Sequence, residues 1–187
     1  MSASAAPAPR LSVEHVTELD QDDLGALCEA THAAILDGGG FGWVTPPGRH
    51  GLERYFKGVL LVPERELFVG RVDGVITGSA QLVRPPRNNE AQAFAAAIMH
   101  AFVAPYARGN GLARLVTQAM EDRARAAGYR VLNLDVRETQ EAAIALYESL
   151  GFERWGAHPA YARVKGRTIA GYFYTKMLSK GGKGGEK

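Results

Sequence analysis

Between residues 98 and 113 the chain reads I-M-H-A-F-V-A-P-Y-A-R-G-N-G-L-A, and few backbones accommodate that order. The opening apolar residues read as a buried strand. Pro105 has no N–H for a ladder, so the strand stops before it. Arg108-Gly109-Asn110-Gly111 is a basic glycine loop. Leu112, Leu115, Val116, Ala119 and Met120 then recur at helical spacing, which starts a helix near Gly111. Strand, glycine loop and helix together make a device for holding an anion. The first N–H groups of a helix have no partner within it, and the helix dipole places partial positive charge there. Glycines allow a phosphate close to the backbone, and Arg108 adds a full charge.

The loop is neither G-x-x-x-x-G-K-[ST] nor G-x-G-x-x-G, so the nucleotide loops those patterns mark are excluded. It matches [QR]-x-x-G-x-[GA] as Arg108-Gly109-Asn110-Gly111-Leu112-Ala113, and resembles the acyl-CoA pyrophosphate loop of the GNAT superfamily of N-acetyltransferases. Further on, A-I-A-L-Y-E-S-L-G-F at 143–152 resembles the A-x-x-L-Y-x-x-x-G-F of the second half of the same core. The two motifs stand in the expected order and cover residues 67–156. A narrower likeness runs through Gly38-Gly39-Gly40-Phe41-Gly42-Trp43, Gly78-Ser79-Ala80-Gln81-Leu82, His158-Pro159-Ala160-Tyr161-Ala162 and Phe173-Tyr174-Thr175-Lys176. These resemble the small bacterial acetyltransferases that include the tabtoxin-resistance enzyme.

With 187 residues, 46% of them hydrophobic, the chain suits one domain with a substantial core. We expect a disordered segment over 1–9, one acetyltransferase-like domain over 10–178 and a flexible tail over 179–187. Twenty-two basic residues against 20 acidic ones make no case for nucleic acid or a membrane surface as partner. No apolar run reaches transmembrane length, and the start lacks the basic and apolar regions of a secretory signal, so a cytoplasmic location is expected. The single Cys28 excludes an internal disulfide and sits in an apolar helical pattern, as a core thiol does. No metal is expected, and a homodimer is left open.

Taken in order, Leu11, Val13 and Val16 suggest a first strand. Asp20 or Asp22 caps a helix running to about Leu36. Phe41 and Trp43 follow the glycines; they either cover the core edge or line the pocket of the acetyl acceptor. A helix from about His50 ends at Pro63. Strands at 66–72 and 75–83 flank the turn Asp73-Gly74. The central strand spans 94–104, the next 129–136, and a helix 140–150. Residues 156–167 are polar and expected to be irregular, with Arg163, Lys165 and Arg167 on a solvated face or, less simply, binding an acidic substrate. Strand 169–178 closes the chain. The class is α+β. The resemblance implies the GNAT version of it: a mixed, mostly antiparallel central sheet with a β-α-β-α core and helices on both faces.

The implied reaction moves an acetyl group from acetyl-CoA, a cosubstrate, to the amine of a small metabolite or amino-acid-like acceptor. An alkylamine with pKa near ~10 must lose a proton first, and the departing thiolate gains from a proton donor. The resemblance places the pyrophosphate on residues 108–113 and the pantetheine on the main chain of Phe102 and Val103. It places Gln140 where the family often has Asn, and makes Tyr147 the acid. Many relatives carry a basic Glu on the central strand; that position is Ala97 here. His100, Asp135 and Glu90 are the candidate substitutes, the first two level and Glu90 behind, and a water relay is a fourth route. Ala97 also leaves room for a CoA-binding sensor without turnover, which the retained Tyr147 argues against. The same chemistry on a protein N-terminus or lysine needs an open groove, which the loop at 38–43 disfavours.

Overall fold

The computed structural model describes residues 7–39 and 41–178. Gly40 and the greater part of the two terminal segments expected to be disordered, 1–6 and 179–187, lie outside the described residues. Strand β1 (Leu11–Val16) leads to helix α1 (Gln21–Leu36) and, after the glycine loop, to α2 (Arg49–Leu61). Strands β2 (Arg65–Val72), β3 (Val75–Val83) and β4 (Ala95–Val103) come next. Helix α3 (Leu112–Ala126), β5 (Val131–Arg137) and α4 (Glu141–Ser149) complete the core, and β6 (Glu153–Val164) and β7 (Arg167–Met177) form a final hairpin.

The seven strands make one sheet in the order β1-β2-β3-β4-β5-β7-β6. Only β4 and β5 are parallel; every other neighbouring pair is antiparallel. Alternation along β2 shows why both faces carry helices. Leu67 and Val69 point to a cluster with Leu27, Leu52 and Phe56 of α1 and α2, whereas Phe68 points to Leu112, Val116 and Met120 of α3. The middle of the sheet is therefore covered on both faces, as the α+β expectation required.

Local chemistry sets the boundaries. Asp20 is the cap of α1, its carboxylate accepting from the Asp23 N–H at 2.8 Å. Asp73 and Gly74 both have positive φ, as a two-residue hairpin of the type I′ kind needs. One expectation is overturned. Residues 156–167 are not irregular: β6 runs on through Val164 and turns at Lys165 and Gly166, again both at positive φ, into β7. Polar residues alternate poorly there because this edge hairpin has little apolar surface to bury, so periodicity carried no strand signal.

Two irregularities shape the middle of the sheet. The β3–β4 register slips between Ser79 and Gln81, and His100, opposite the slip, has φ 51°. This is a β-bulge, which redirects the side chains around it. On its other side β4 pairs with β5 only through Ala95, Ala96 and Ala97, against Val131, Leu132 and Asn133. Beyond Ala97 the two strands part, and a cleft opens between them.

Candidate active site

The cleft continues into a cavity of about 620 Å³ walled by β4, the 108–113 loop, the start of α3 and α4. Gly109 and Gly111 sit at φ 86° and 84°, and a Cβ on either would meet nothing within 4 Å. The glycines therefore answer a conformational demand, and the space above them is open. Gly111 occupies the cap position of α3 in a left-handed conformation. Among the described residues, the N–H groups of Gly109, Asn110, Gly111, Leu112 and Ala113 donate to no turn or cap carbonyl. Five N–H groups without a backbone partner therefore stand at the head of a 15-residue helix, an arrangement that suits an anion. The Asn110 side chain turns back to the Ala107 carbonyl at 3.5 Å, so only its backbone faces the cradle.

Arg108 is already engaged. Its Nε donates to the Val103 carbonyl at 3.2 Å, and its guanidinium pairs with Asp37 at 2.6 Å. Asp37 ends α1 and lines the same cavity. Phe102 and Val103 line the cavity as β4 leaves β5. Gln140 donates to the Gly38 carbonyl at 2.9 Å, so in this structure its amide ties α4 to the loop that follows α1.

A second cavity of about 460 Å³ lies on the other side of β4, lined by Phe41, His100, Asp135, Arg137, Tyr161 and Arg163 among others. Ala101, Gln140, Ala143 and Tyr147 line both cavities, so the two meet there. Tyr147 is 7% exposed and stacks edge-on against Phe152. Its hydroxyl has no protein partner, yet it is not among the fully enclosed orphan atoms, so it reaches the cavity. Burial, reinforced by the Asp135 charge, pushes this phenol up to about 12. It keeps its proton across the physiological range, as a proton donor must.

Asp135 is exposed on β5 in the wall of this second cavity and accepts a hydrogen bond from the Tyr161 hydroxyl. Tyr161 comes from β6, where the β6–β7 register slips between His158 and Ala162. Its ring lies directly over Gly171 of β7, where any side chain would collide with it. Burial, then the bond to Asp135, raises this phenol too, to about 12. Arg163 follows two residues on; it is exposed and makes no hydrogen bond or ion pair among the described residues.

His100 reaches the cavity from the bulge, stacked on Phe41 at 5.2 Å. Burial, with the nearby Arg65 charge, lowers its pKa, against a smaller opposing pull from Asp135. Phe41 is buried and lines the cavity, whereas Trp43 is not in the lining; it stacks on Phe41 and meets Tyr55 edge-on at 5.0 Å. Phe41 thus lines this cavity, and Trp43 covers the core edge beside it. Glu90 lies in a short turn at 90–92, away from either cavity lining. Tyr161 and Arg137 were not singled out as site residues from sequence; Arg163 was named there only in the less simple reading, as part of a face binding an acidic substrate. The signal that could have found Tyr161 is the glycine at 171, a strand interior position where glycine marks a close approach.

Among the described residues no three His, Cys, Asp or Glu side chains cluster as a metal site would need, and no helix is long and apolar enough to cross a membrane. Residues 32–152 match the family model described as the acetyltransferase (GNAT) family. An uncharacterised N-acetyltransferase from the hisH-hisA intergenic region of Azospirillum brasilense is 64% identical over 130 residues, 70% of this chain and 77% of that protein. Among solved structures, a phosphinothricin acetyltransferase of Sinorhizobium meliloti in complex with acetyl-CoA superposes with a TM-score of 0.75 at 23% identity, covering 97% of this chain and 94% of that one. The ribosomal-protein-S18-alanine N-acetyltransferase of Escherichia coli superposes at 0.70 and 21% identity, covering 95% of this chain and all of that one. The acceptors in their names differ in kind, a small molecule and a protein, on one shared fold. With the glycine cradle, the parted strands and the L-Y tyrosine in place, the chain belongs to the GNAT family of acetyltransferases.

Proposed function

We propose that the protein transfers the acetyl group of acetyl-CoA directly to the amine of a small acceptor that also bears a carboxylate. The observation that carries this is the charge arrangement of the smaller cavity. Asp135 offers an anion for an ammonium group, while the unpaired Arg163 and the guanidinium of Arg137 offer cations for a carboxylate. An amino-acid-like zwitterion satisfies both at once. A protein N-terminus supplies the amine but no nearby carboxylate.

The fit to acetyl-CoA rests on the open cradle above Gly109 and Gly111 and on the gap between β4 and β5. The pyrophosphate takes the free N–H groups of residues 109–113, and the pantetheine lies along β4 near Phe102 and Val103. In the reaction Asp135 draws in the ammonium and takes its proton, directly or through water. The neutral nitrogen attacks the thioester carbonyl carbon, and the carbon–sulfur bond then breaks. Tyr147 gives its proton to the departing sulfur, the acetylated nitrogen sheds its second proton through water to restore the phenol, and Asp135 returns its proton to solvent, leaving an acetamide and free CoA. Tyr147 stands where the two cavities join, the place such a donor must occupy.

A screen of CoA release against amino acids, simple amines, aminoglycosides and peptides tests this. Turnover is expected to be fastest with carboxylate-bearing small amines. Preference for peptides or for amines lacking a carboxylate overturns the acceptor assignment. Acetyl-CoA binding with no turnover on any amine overturns the enzyme reading in favour of a sensor.

A further inference from the structure

A partly buried row of polar side chains leads from β2 to His100, with Gln81 fully enclosed in its middle. Arg65 donates to the Gln81 Oε1 at 2.6 Å, Gln81 Nε2 lies 2.8 Å from the Tyr55 hydroxyl, and that hydroxyl lies 3.0 Å from His100 Nδ1. The direction of every bond follows from its first member. A guanidinium only donates, so the Gln81 oxygen must face Arg65 and its NH2 must face Tyr55. The Tyr55 oxygen is then the acceptor from Gln81, and its own proton has one place left to go, His100 Nδ1. Tyr55 does not escape this by ionising, because burial raises its pKa. A proton on Nδ1 would set two donors against each other and strand the tyrosine hydrogen.

We propose that Arg65, Gln81 and Tyr55 form a one-way hydrogen-bond relay that holds His100 as the neutral Nε2–H tautomer, so that His100 presents a donor, not a base, to an oxygen of the acceptor. Nε2 is free for this. It has no protein partner among the described residues, and it is absent from the fully enclosed unpartnered atoms, of which Thr77 Oγ1 is the only one among them. It therefore opens into the cavity that His100 lines. The β-bulge and the Phe41 stack fix the ring, and the lowered proton affinity of His100 agrees with a histidine kept neutral. Arg65, Gln81 and Tyr55 are positioning residues here, and His100 selects acceptors with an oxygen in reach. The identity of that oxygen, a carboxylate, rests on the acceptor proposed above; the tautomer does not.

The test is long-range 1H–15N correlation on protein labelled at histidine nitrogen, with the His100 signals identified by their loss in His100→Phe. The free wild-type protein at pH 7.5 is expected to show a protonated Nε2 and an unprotonated Nδ1. Gln81→Glu reverses the relay, because a carboxylate accepts from both Arg65 and Tyr55; His100 should then switch to the Nδ1–H form. Tyr55→Phe, which keeps the packing, should leave His100 as a mixture of tautomers should Gln81→Glu fail to fold. An Nδ1–H wild type, or tautomers indifferent to both substitutions, overturns the relay. His100→Phe keeps the stack on Phe41 and should raise the KM for the acceptor about tenfold, the scale of one lost hydrogen bond, with the KM for acetyl-CoA little changed. An unchanged acceptor KM overturns the donor role while leaving the relay standing. Absence of turnover with any carboxylate-bearing amine counts against the proposed acceptor alone, since the tautomer is read without substrate.

Discussion

The two cavities that meet at Tyr147 are built in opposite ways. The larger is framed by backbone on one side, free N–H groups, two glycines at positive φ and a strand edge within the continuous stretch 101–117, and α4 closes it on the other. The smaller is made of side chains that five separate segments deliver, the 41–44 loop, β4, β5, α4 and β6. A backbone site can bind a ligand whose shape does not vary. A side-chain site can be changed one residue at a time without disturbing the cradle beside it. The difference suits a reaction with one fixed donor and an acceptor that varies among relatives sharing the fold.

Replacing Tyr147 tests the junction and should have the largest effect. Tyr147→Phe keeps the stack on Phe152 and removes a hydroxyl that no protein group needs. Turnover should fall by ~100- to 10,000-fold, the usual contribution of a positioned proton donor. Acetyl-CoA affinity, measured by calorimetry, should hold. Because the phenol is raised to about 12, its proton is retained as pH rises through 10, so any alkaline fall of the wild-type rate below pH 11 comes from another group. A fully active Phe variant removes the acid from the mechanism.

Gly111→Val strikes the backbone cavity alone. A β-branched residue at φ 84° carries strain of about 1–3 kcal/mol before any contact with ligand. Its side chain also projects into the space over the cradle. Acetyl-CoA binding should weaken by at least ~10-fold while acceptor specificity is kept, provided far-ultraviolet circular dichroism shows the fold intact. Normal CoA binding by such a variant would mean the cradle lies elsewhere.

Asp135→Asn strikes the side-chain cavity alone. It should lower kcat/KM for the acceptor at neutral pH by about tenfold or more, and the deficit should shrink toward pH 10 as the amine loses its proton unaided. The acetyl-CoA dissociation constant should not move. A deficit that stays constant with pH would give Asp135 a binding role without proton transfer.

The same contrast explains what the sequence disclosed. The cradle was legible because a left-handed backbone writes itself as glycine, so Gly109 and Gly111 announce their geometry. The Asp73-Gly74 hairpin was legible for the same reason. Lys165-Gly166 makes an equivalent turn with φ 49° and 79°, but lysine seldom adopts positive φ, and the hairpin around it was taken as irregular. Nothing in the spacing of Asp135 and Tyr161 says that they meet; the slip in register between β6 and β7 decides it. Nor does sequence reveal that Gln140 and Arg137 reach back to the Gly38 carbonyl. Contacts across nearly a hundred residues are set by sheet order, which local pattern does not encode.

Asp37 is where the two constructions touch, and replacing it should give the smallest effect. Its carboxylate ends α1, holds Arg108, and stands in the wall of the cavity proposed above for the pyrophosphate. Both partners of the pair are 45% exposed, so the bond is worth at most about 1 kcal/mol. Asp37→Asn removes an anion beside the pyrophosphate site and frees Arg108 to turn toward it. Acetyl-CoA should therefore bind more tightly, by up to about fivefold at low salt. The gain should fade toward 1 M salt, where charges separated by more than about 3 Å are screened. The acceptor KM should stay within about twofold, because Arg137 and Gln140 still hold the Gly38 and Phe41 carbonyls. A large rise in acceptor KM would show instead that Arg108 and Asp37 strut the acceptor loop, and that the two cavities are not independent.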